Sequence, residues 1–403
     1  MAVSAKPYLK VIEAYEREFE KWEKRGEKIV KRYRDERDEV EKSQQRFNIF
    51  WSNVEILTSV LYAQLPKAQV ERRFKDKDKL GRIASQIIER ATDYEIDDSD
   101  FHEVMEQSVL DMVLTGRGQA WEMYEPELEN DKKLSERTKT IFVDYRDFGH
   151  EVGRTWADVR KVWRKVWLTK EQAADKWGEA VAEKLEYTTD YSKDKKPKGA
   201  DEDRQNKTCA YEVWCKTERK VYWVSKNQKN CLESYAYPLN LRSGFPCPRP
   251  LTATRTNETL IAVADFVQYQ DQILQIDKLT ARIGHLTDAL KVVGVYDATV
   301  PALERLLHPD GVADNTLVPV KKWSEFVQKG GLDSAVDLMS IKEISEALVH
   351  CYEALEQAKS VLYEVTGLAD IIRGATDPNE TLGAQQLKTQ IASVRIKRRQ
   401  AET

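Results

Sequence analysis

Three prolines at alternate positions, Pro246, Pro248 and Pro250, lead into the longest uninterrupted helical pattern of the chain. Each proline fixes φ and removes an amide donor, so residues 244–250 must be extended and cannot lie inside a sheet. They read as a rigid strut. From Thr259 the period changes: Phe266, Tyr269, Ile273, Ile276, Leu279, Ile283, Leu286, Leu290 and Val293 recur three or four residues apart, the spacing of one apolar helical stripe. With no proline to interrupt it, a helix over 259–293 would be about 50 Å long. Such a helix is either the core of a large α-rich domain or a pillar.

The remaining composition narrows the choices. The chain has 403 residues and is 41% hydrophobic, enough for two or three domains with real cores. Lys and Arg (64) nearly balance Asp and Glu (68), leaving a net charge of -4, which argues against a dedicated nucleic-acid binder. Five cysteines, Cys209, Cys215, Cys231, Cys247 and Cys351, include no C-x-x-C pair, and no secretory h-region precedes them; the expectation is reduced thiols in a cytosol. Four of them lie within 209–247, but zinc ligands normally come in closely spaced pairs. No apolar run approaches the ~18 residues that a membrane span requires.

Taken in order, 8–46 predicts a charged helix whose sparse apolar face is Leu9, Ile12, Tyr15, Phe19, Trp22, Ile29, Tyr33 and Val40, with interleaved acids and bases on the wet side. Gly26 favours a helix lying on its own domain over a coiled-coil partner. Residues 48–65 predict a better-buried helix through Phe50, Trp51, Val54, Leu57, Leu61 and Leu65 before Pro66, and 70–74 a short extended piece. Two further helices are expected, 79–94 and one capped at Ser99 or Asp100 and ending at Gly116. The period then becomes two, and strands at 120–125, 140–145 and 159–168 are expected to pair with one another.

A capping box, Thr169 to Gln172, opens a short helix ending near Gly178, with a second reaching Leu185. Residues 188–207 read as an exposed charged loop. A hairpin follows, Tyr211–Cys215 turning near 217–219 into Val221–Val224. Beyond the long helix, strands are expected at 292–296 and 316–320, with a helix at 301–307 between them. A second long helix spans 340–366 and stops at Gly367, and Asp377-Pro378-Asn379-Glu380 is an N-cap signal for a last helix. The class is α+β, mainly α.

Chemistry-bearing motifs are absent: no phosphate loop, no H-E-x-x-H, no G-x-S-x-G. His102, His150, His285, His308 and His350 stand singly and read as structural or exposed. The acids of 95–100 precede a helix start, where they complement the dipole. No catalytic, cofactor or metal-binding residue is expected.

The C-terminal quarter carries a resemblance. Tyr363-Glu364-Val365-Thr366-Gly367-Leu368-Ala369-Asp370-Ile371-Ile372-Arg373-Gly374, then Glu380-Thr381, Gln385-Gln386-Leu387-Lys388 and Ser393-Val394-Arg395, is similar to the signature of portal proteins of tailed bacteriophages, the short-tailed type above all. Trp51-Ser52-Asn53-Val54, Leu61-Tyr62, Pro66, Glu212-Val213-Trp214 and Phe245 to Leu251 agree in order.

That resemblance implies a ring, usually of twelve copies, at one vertex of a virion. The ring would pass double-stranded DNA during packaging and ejection, with only weak non-specific contact. It implies docking of the terminase large subunit, of major capsid and scaffolding proteins and of tail adaptor proteins, assembly in the host cytoplasm, and no membrane and no cofactor. As a portal-type ring subunit with long stem and wing helices and an inserted small β-rich clip, the chain would divide into wing (1–164), first stem segment (165–187), clip (188–257), second stem helix (258–290), wing again (291–376) and the start of a crown (377–403). Relatives commonly continue further, so the crown is expected to be short or missing.

Twelve copies at -4 each would carry -48, so duplex DNA would slide without sticking. Candidate channel contacts are Lys321, Lys322, Lys329 and Lys342, and candidate clip contacts to neighbouring subunits, terminase or adaptor are Tyr222, Trp223, Lys226 and Lys229. Pro246, Pro248, Pro250, Gly367, Arg373, Gly374, Asp377 and Glu380 are assigned structural roles. The alternative is a cytosolic helical scaffold or adaptor forming a small oligomer, which would keep the long helices without needing the strut or the strand-rich insert.

Overall fold

The computed structural model of the chain describes residues 3–37, 46–72, 78–129, 132–188, 206–238, 240–241, 243–289, 294–296, 336–338, 342–367, 394 and 396–401. It forms two compact units: Met1–Arg37 with Asn48–Gln270 and Tyr363–Thr403, and Asp38–Phe47 with Asp271–Leu362. The mixture of helix and strand agrees with an α+β class.

The first unit is built around a five-stranded antiparallel sheet in the order β4 (Phe148–His150), β5 (Lys161–Thr169), β6 (Lys207–Cys215), β7 (Lys220–Val224), β8 (Glu233–Ala236). Period-two alternation along β6 sends Tyr211, Val213 and Cys215 to one core and Ala210 and Trp214 to the other. Both faces are buried, so nearly every residue of β6 is apolar or paired. Helix α1 (Lys6–Tyr33) covers the first face through Tyr8, Ile12, Tyr15, Phe19 and Trp22. Its stripe follows the predicted one through Ile12, Tyr15, Phe19, Trp22 and Ile29, with Tyr8 buried more fully than the expected Leu9; Val40 lies outside the described residues. Gly26 lets it approach closely, because a Cβ there would lie 3.1 Å from the Tyr145 ring. The helix ends at Tyr33, short of the expected 46: Asp35 turns into the left-handed region at φ 52.

The second face packs on Trp121, Val143, Phe148 and Val159, and on Phe245 and Cys247 of the proline strut. As expected, the strut lies outside any sheet. The Pro246 carbonyl accepts the Glu122 N–H at 2.7 Å, and the Pro248 carbonyl accepts Gln119 Nε2 at 3.3 Å. Chain direction then returns to β9 (Leu251–Thr252), which pairs with β1 (Arg117–Gly118). Helix α4 (Phe101–Thr115) feeds β1 through Gly116 at φ 93, the C-cap that the sequence predicts. Gly118 is forced by contact: a Cβ there would stand 1.8 Å from the Ser108 carbonyl oxygen.

Other expectations change as well. The strands expected at 120–125, 140–145 and 159–168 do not form one group: β2 (Ala120–Glu129) and β3 (Lys132–Phe142) make a separate two-stranded ribbon, and β5 joins the large sheet. The β-rich segment expected as a self-contained insert over 188–257 shares that sheet, with β6 paired to β5 over nine positions from Lys161↔Cys215 to Thr169↔Lys207. In helix α2 (Ile49–Leu61), Phe50, Val54, Leu57 and Leu61 are buried while Trp51 is 50% exposed.

Helix α3 (Lys79–Asp98) buries no residue at all. The capping box of α5 (Lys170–Trp177) forms as expected, with Thr169 Oγ1 accepting the Gln172 N–H and Gln172 Oε1 accepting the Thr169 N–H, and α6 (Glu179–Ala182) follows.

Helix α7 runs over Phe266–Ala289 and not from 259, since residues 259–265 turn through Thr256 and Thr259 hydroxyl bonds; a kink at Tyr269 interrupts it. Its 24 residues span about 36 Å. In the second unit it buries Ile273, Ile276 and Ile283. A short ribbon, β10 (Gly294–Tyr296) with β11 (Val336–Leu338), places a strand that the sequence reading did not expect. Helix α8 (Lys342–Thr366) buries Cys351, Leu355, Ala358 and Leu362 and stops at Gly367, φ 70, close to the predicted bounds. The expected elements at 301–307 and 316–320 and the start of the last helix after Asp377 lie outside the described residues; toward the end of that expected helix, residue 394 and residues 396–400 are helical.

Candidate functional site

The two candidate clip aromatics are core residues. Tyr222 stacks on Tyr8 with ring centroids 4.3 Å apart and donates its hydroxyl to Glu218, and Trp223 packs edge-on to Trp177 under Lys176 Nζ at 3.4 Å. Both are buried, because β7 is an interior strand of the sheet. Lys226 and Lys229 are exposed. Lys226 Nζ pairs with Glu16 at 2.7 Å, while the Lys229 carbonyl accepts the Ala5 N–H, tying the 226–231 loop to the start of α1. Of the candidate channel lysines only Lys342 is described; it is the exposed first residue of α8, 4.0 Å from Glu346. Lys321, Lys322, Lys329, Arg373, Gly374, Asp377 and Glu380 lie outside the described residues. Gly367 holds the left-handed C-cap and donates its N–H to the Tyr363 carbonyl.

Between α1 and the sheet the fold gathers a polar cluster that no motif announces. Arg117, set between Gly116 and Gly118, is 1% exposed. Its Nη2 donates to the carbonyls of Tyr145 (2.9 Å) and Phe148 (3.1 Å), and its guanidinium lies 4.4 Å from the Trp22 ring and 5.2 Å from Phe148. Ring faces offset part of the cost of burying the charge. Nearby, Asp111 accepts the Tyr145 N–H at 3.0 Å, and burial, reinforced by Asp144, pushes its carboxyl up to about 8. His150 sits among Tyr15, Phe19, Phe148 and Trp156, its Nδ1 2.9 Å from the Glu151 carbonyl; burial first, then Arg117, lowers it to about 3. Its ring is neutral at ordinary pH, which matches the structural role read for lone histidines.

A cavity of about 240 Å³ opens beside this cluster, lined by aromatic rings of α1 and the sheet, by Glu16, Glu23, Glu27 and Asp147, and by Arg146, Lys165 and Lys226. Its cations are paired: Glu16 holds Lys226 and Asp147 lies 4.0 Å from Lys165 within the wall, and the adjacent Asp144 holds Arg146 at 2.9 Å. Burial pushes the Cys209 thiol up to about 11, so it stays protonated and is a poor nucleophile. The opposite face of the sheet holds a buried ion pair, Arg164 Nε to Glu212 Oε2 at 2.6 Å, with Trp214 Nε1 donating to Glu212 Oε1 at 3.0 Å. Arg117, Asp111 and this pair escape sequence reasoning; the Gly-Arg-Gly step after α4 is the one local signal.

A second recess, of about 180 Å³, is lined by Leu57, Asp265, Tyr269, Thr366, Gly367 and Arg399, with Arg399 paired to Asp265. Among the described residues no group of His, Cys, Asp and Glu could hold a metal ion, and no helix is long and apolar enough to cross a membrane. These features offer packing and binding surfaces but no activated nucleophile paired to a base. Neither a known protein-family model nor a curated protein matches the chain.

Proposed function

We propose that the chain is a portal-type subunit, one copy of a ring that serves as a conduit for packaged DNA and as a docking platform for the packaging motor and tail proteins. The observation that carries this reading is the ordered set of sequence blocks, above all 363–374 with 245–251. Where those blocks are described, their residues hold demanding positions: Gly367 is a left-handed helix stop, and Phe245 and Cys247 anchor the strut in the core. A sheet buried on both faces in the first unit, and long helices of the kind a ring subunit uses as pillars, support the reading. The near balance of charge suits a passage that does not grip its cargo.

The test is electron microscopy of negatively stained full-length protein. End-on views of a closed ring with a central hole are expected. Fields of small solid particles at micromolar concentration overturn the reading.

A further inference from the structure

Helix α3 is attached to its own unit through polar side chains: Asp93 accepts the Ala68 N–H at 2.7 Å, Glu89 accepts the Val70 N–H at 3.0 Å, Glu95 accepts the Thr138 hydroxyl at 3.3 Å, and Asp98 pairs with Arg137. Its apolar face points to water. Leu80 is 77% exposed, Ile83 49%, Ile87 62% and Tyr94 66%, and their spacing aligns them in one stripe along the helix. Such a stripe is a site waiting for a partner.

The charges identify the partner. Lys79 and Arg82 lie in the first turn, and Glu95, Asp97 and Asp98 in the last; apart from the capping Asp78, this order opposes the helix dipole. A second α3 laid antiparallel, with Ile87 meeting Ile87 at the centre, brings Leu80 beside Tyr94 and sets the basic end of each helix against the acidic end of the other. We propose that α3 is a two-fold self-association surface, occupied by the α3 of a second copy of this chain. This goes beyond the ring reading and does not rest on it: a two-fold contact pairs copies, whereas ring closure passes a different contact from one copy to the next.

The experiment uses the full chain at micromolar concentration. Because Ile87 contributes to no core, Ile87→Glu leaves the fold intact, as far-UV circular dichroism will verify, and halves the assembly mass by light scattering. Ile87→Cys forms an intermolecular disulfide on mild oxidation well above the background of the unsubstituted chain, and Ser85→Cys, on the opposite side of the helix, does not. An unchanged mass for Ile87→Glu, or no excess cross-link for Ile87→Cys, overturns the proposal. A ring whose mass ignores Ile87→Glu retires the α3 contact and leaves the ring standing; a dimer that falls to a monomer does the reverse.

Discussion

Removing one member of the buried Arg164–Glu212 pair should cost far more than removing both. The two residues face each other across β5 and β6, and their side chains are 10% and 7% exposed. Arg164→Met alone leaves the Glu212 carboxylate in the core with the Trp214 indole as its remaining hydrogen-bond donor and Lys176 as a nearby cation, at a cost of about 3–5 kcal/mol. Glu212→Leu alone strands the guanidinium, which keeps its place 5.4 Å from the Trp121 ring and so loses somewhat less, roughly 2–4 kcal/mol. The double variant fills the same space with apolar groups and should lie within about 1–2 kcal/mol of the parent. The coupling is therefore several kcal/mol, large for any pair of surface charges. Urea denaturation followed by tryptophan fluorescence gives all four stabilities. Additive losses would refute the reasoning, and with it the registered pairing of β5 to β6 that joins the β-rich segment to the N-terminal strands.

Acid should weaken the fold through His150. Its folded pKa, about 3, lies below the ordinary imidazole value of 6.5, so the unfolded chain binds the proton first and stability is lost as pH falls from about 6.5 toward 3. Asp111 acts in the opposite sense: held near 8 against 3.8, it contributes stability at low pH that drains away as pH rises toward 8, and Asp111→Asn should flatten the decline of stability between pH 6.5 and 8. Both are read from urea midpoints across a pH series. Gly118→Ala, whose Cβ would meet the Ser108 carbonyl, should cost at least ~3 kcal/mol or prevent soluble expression, while Thr169→Ala should cost only ~1 kcal/mol through its cap.

Local signals were legible and long-range ones were not. The stripe of α1, the Thr169 cap and the glycine stops at 116, 178 and 367 depend on neighbours within a few residues, and each appears where the sequence places it. The pairing of β5 to β6 joins residues separated by the whole 170–206 segment, which period-two alternation cannot register. Trp51 and the α3 stripe show a second limit: spacing says that a helix has an apolar face but not which way it points. Tyr222 and Trp223, read as candidate contacts, are buried for a related reason: alternation marks a hairpin but not its place as an interior strand pair of a larger sheet. The buried cluster of Arg117, Asp111 and His150 was invisible because its members come from separate elements and meet only in the tertiary fold.

The most direct measurement of the central claim is the solution mass of the full chain by multi-angle light scattering. A portal-type subunit predicts a discrete assembly of about ten or more copies of the 46.6 kDa chain, stable to dilution. A monomer, dimer or trimer at high protein concentration would contradict it.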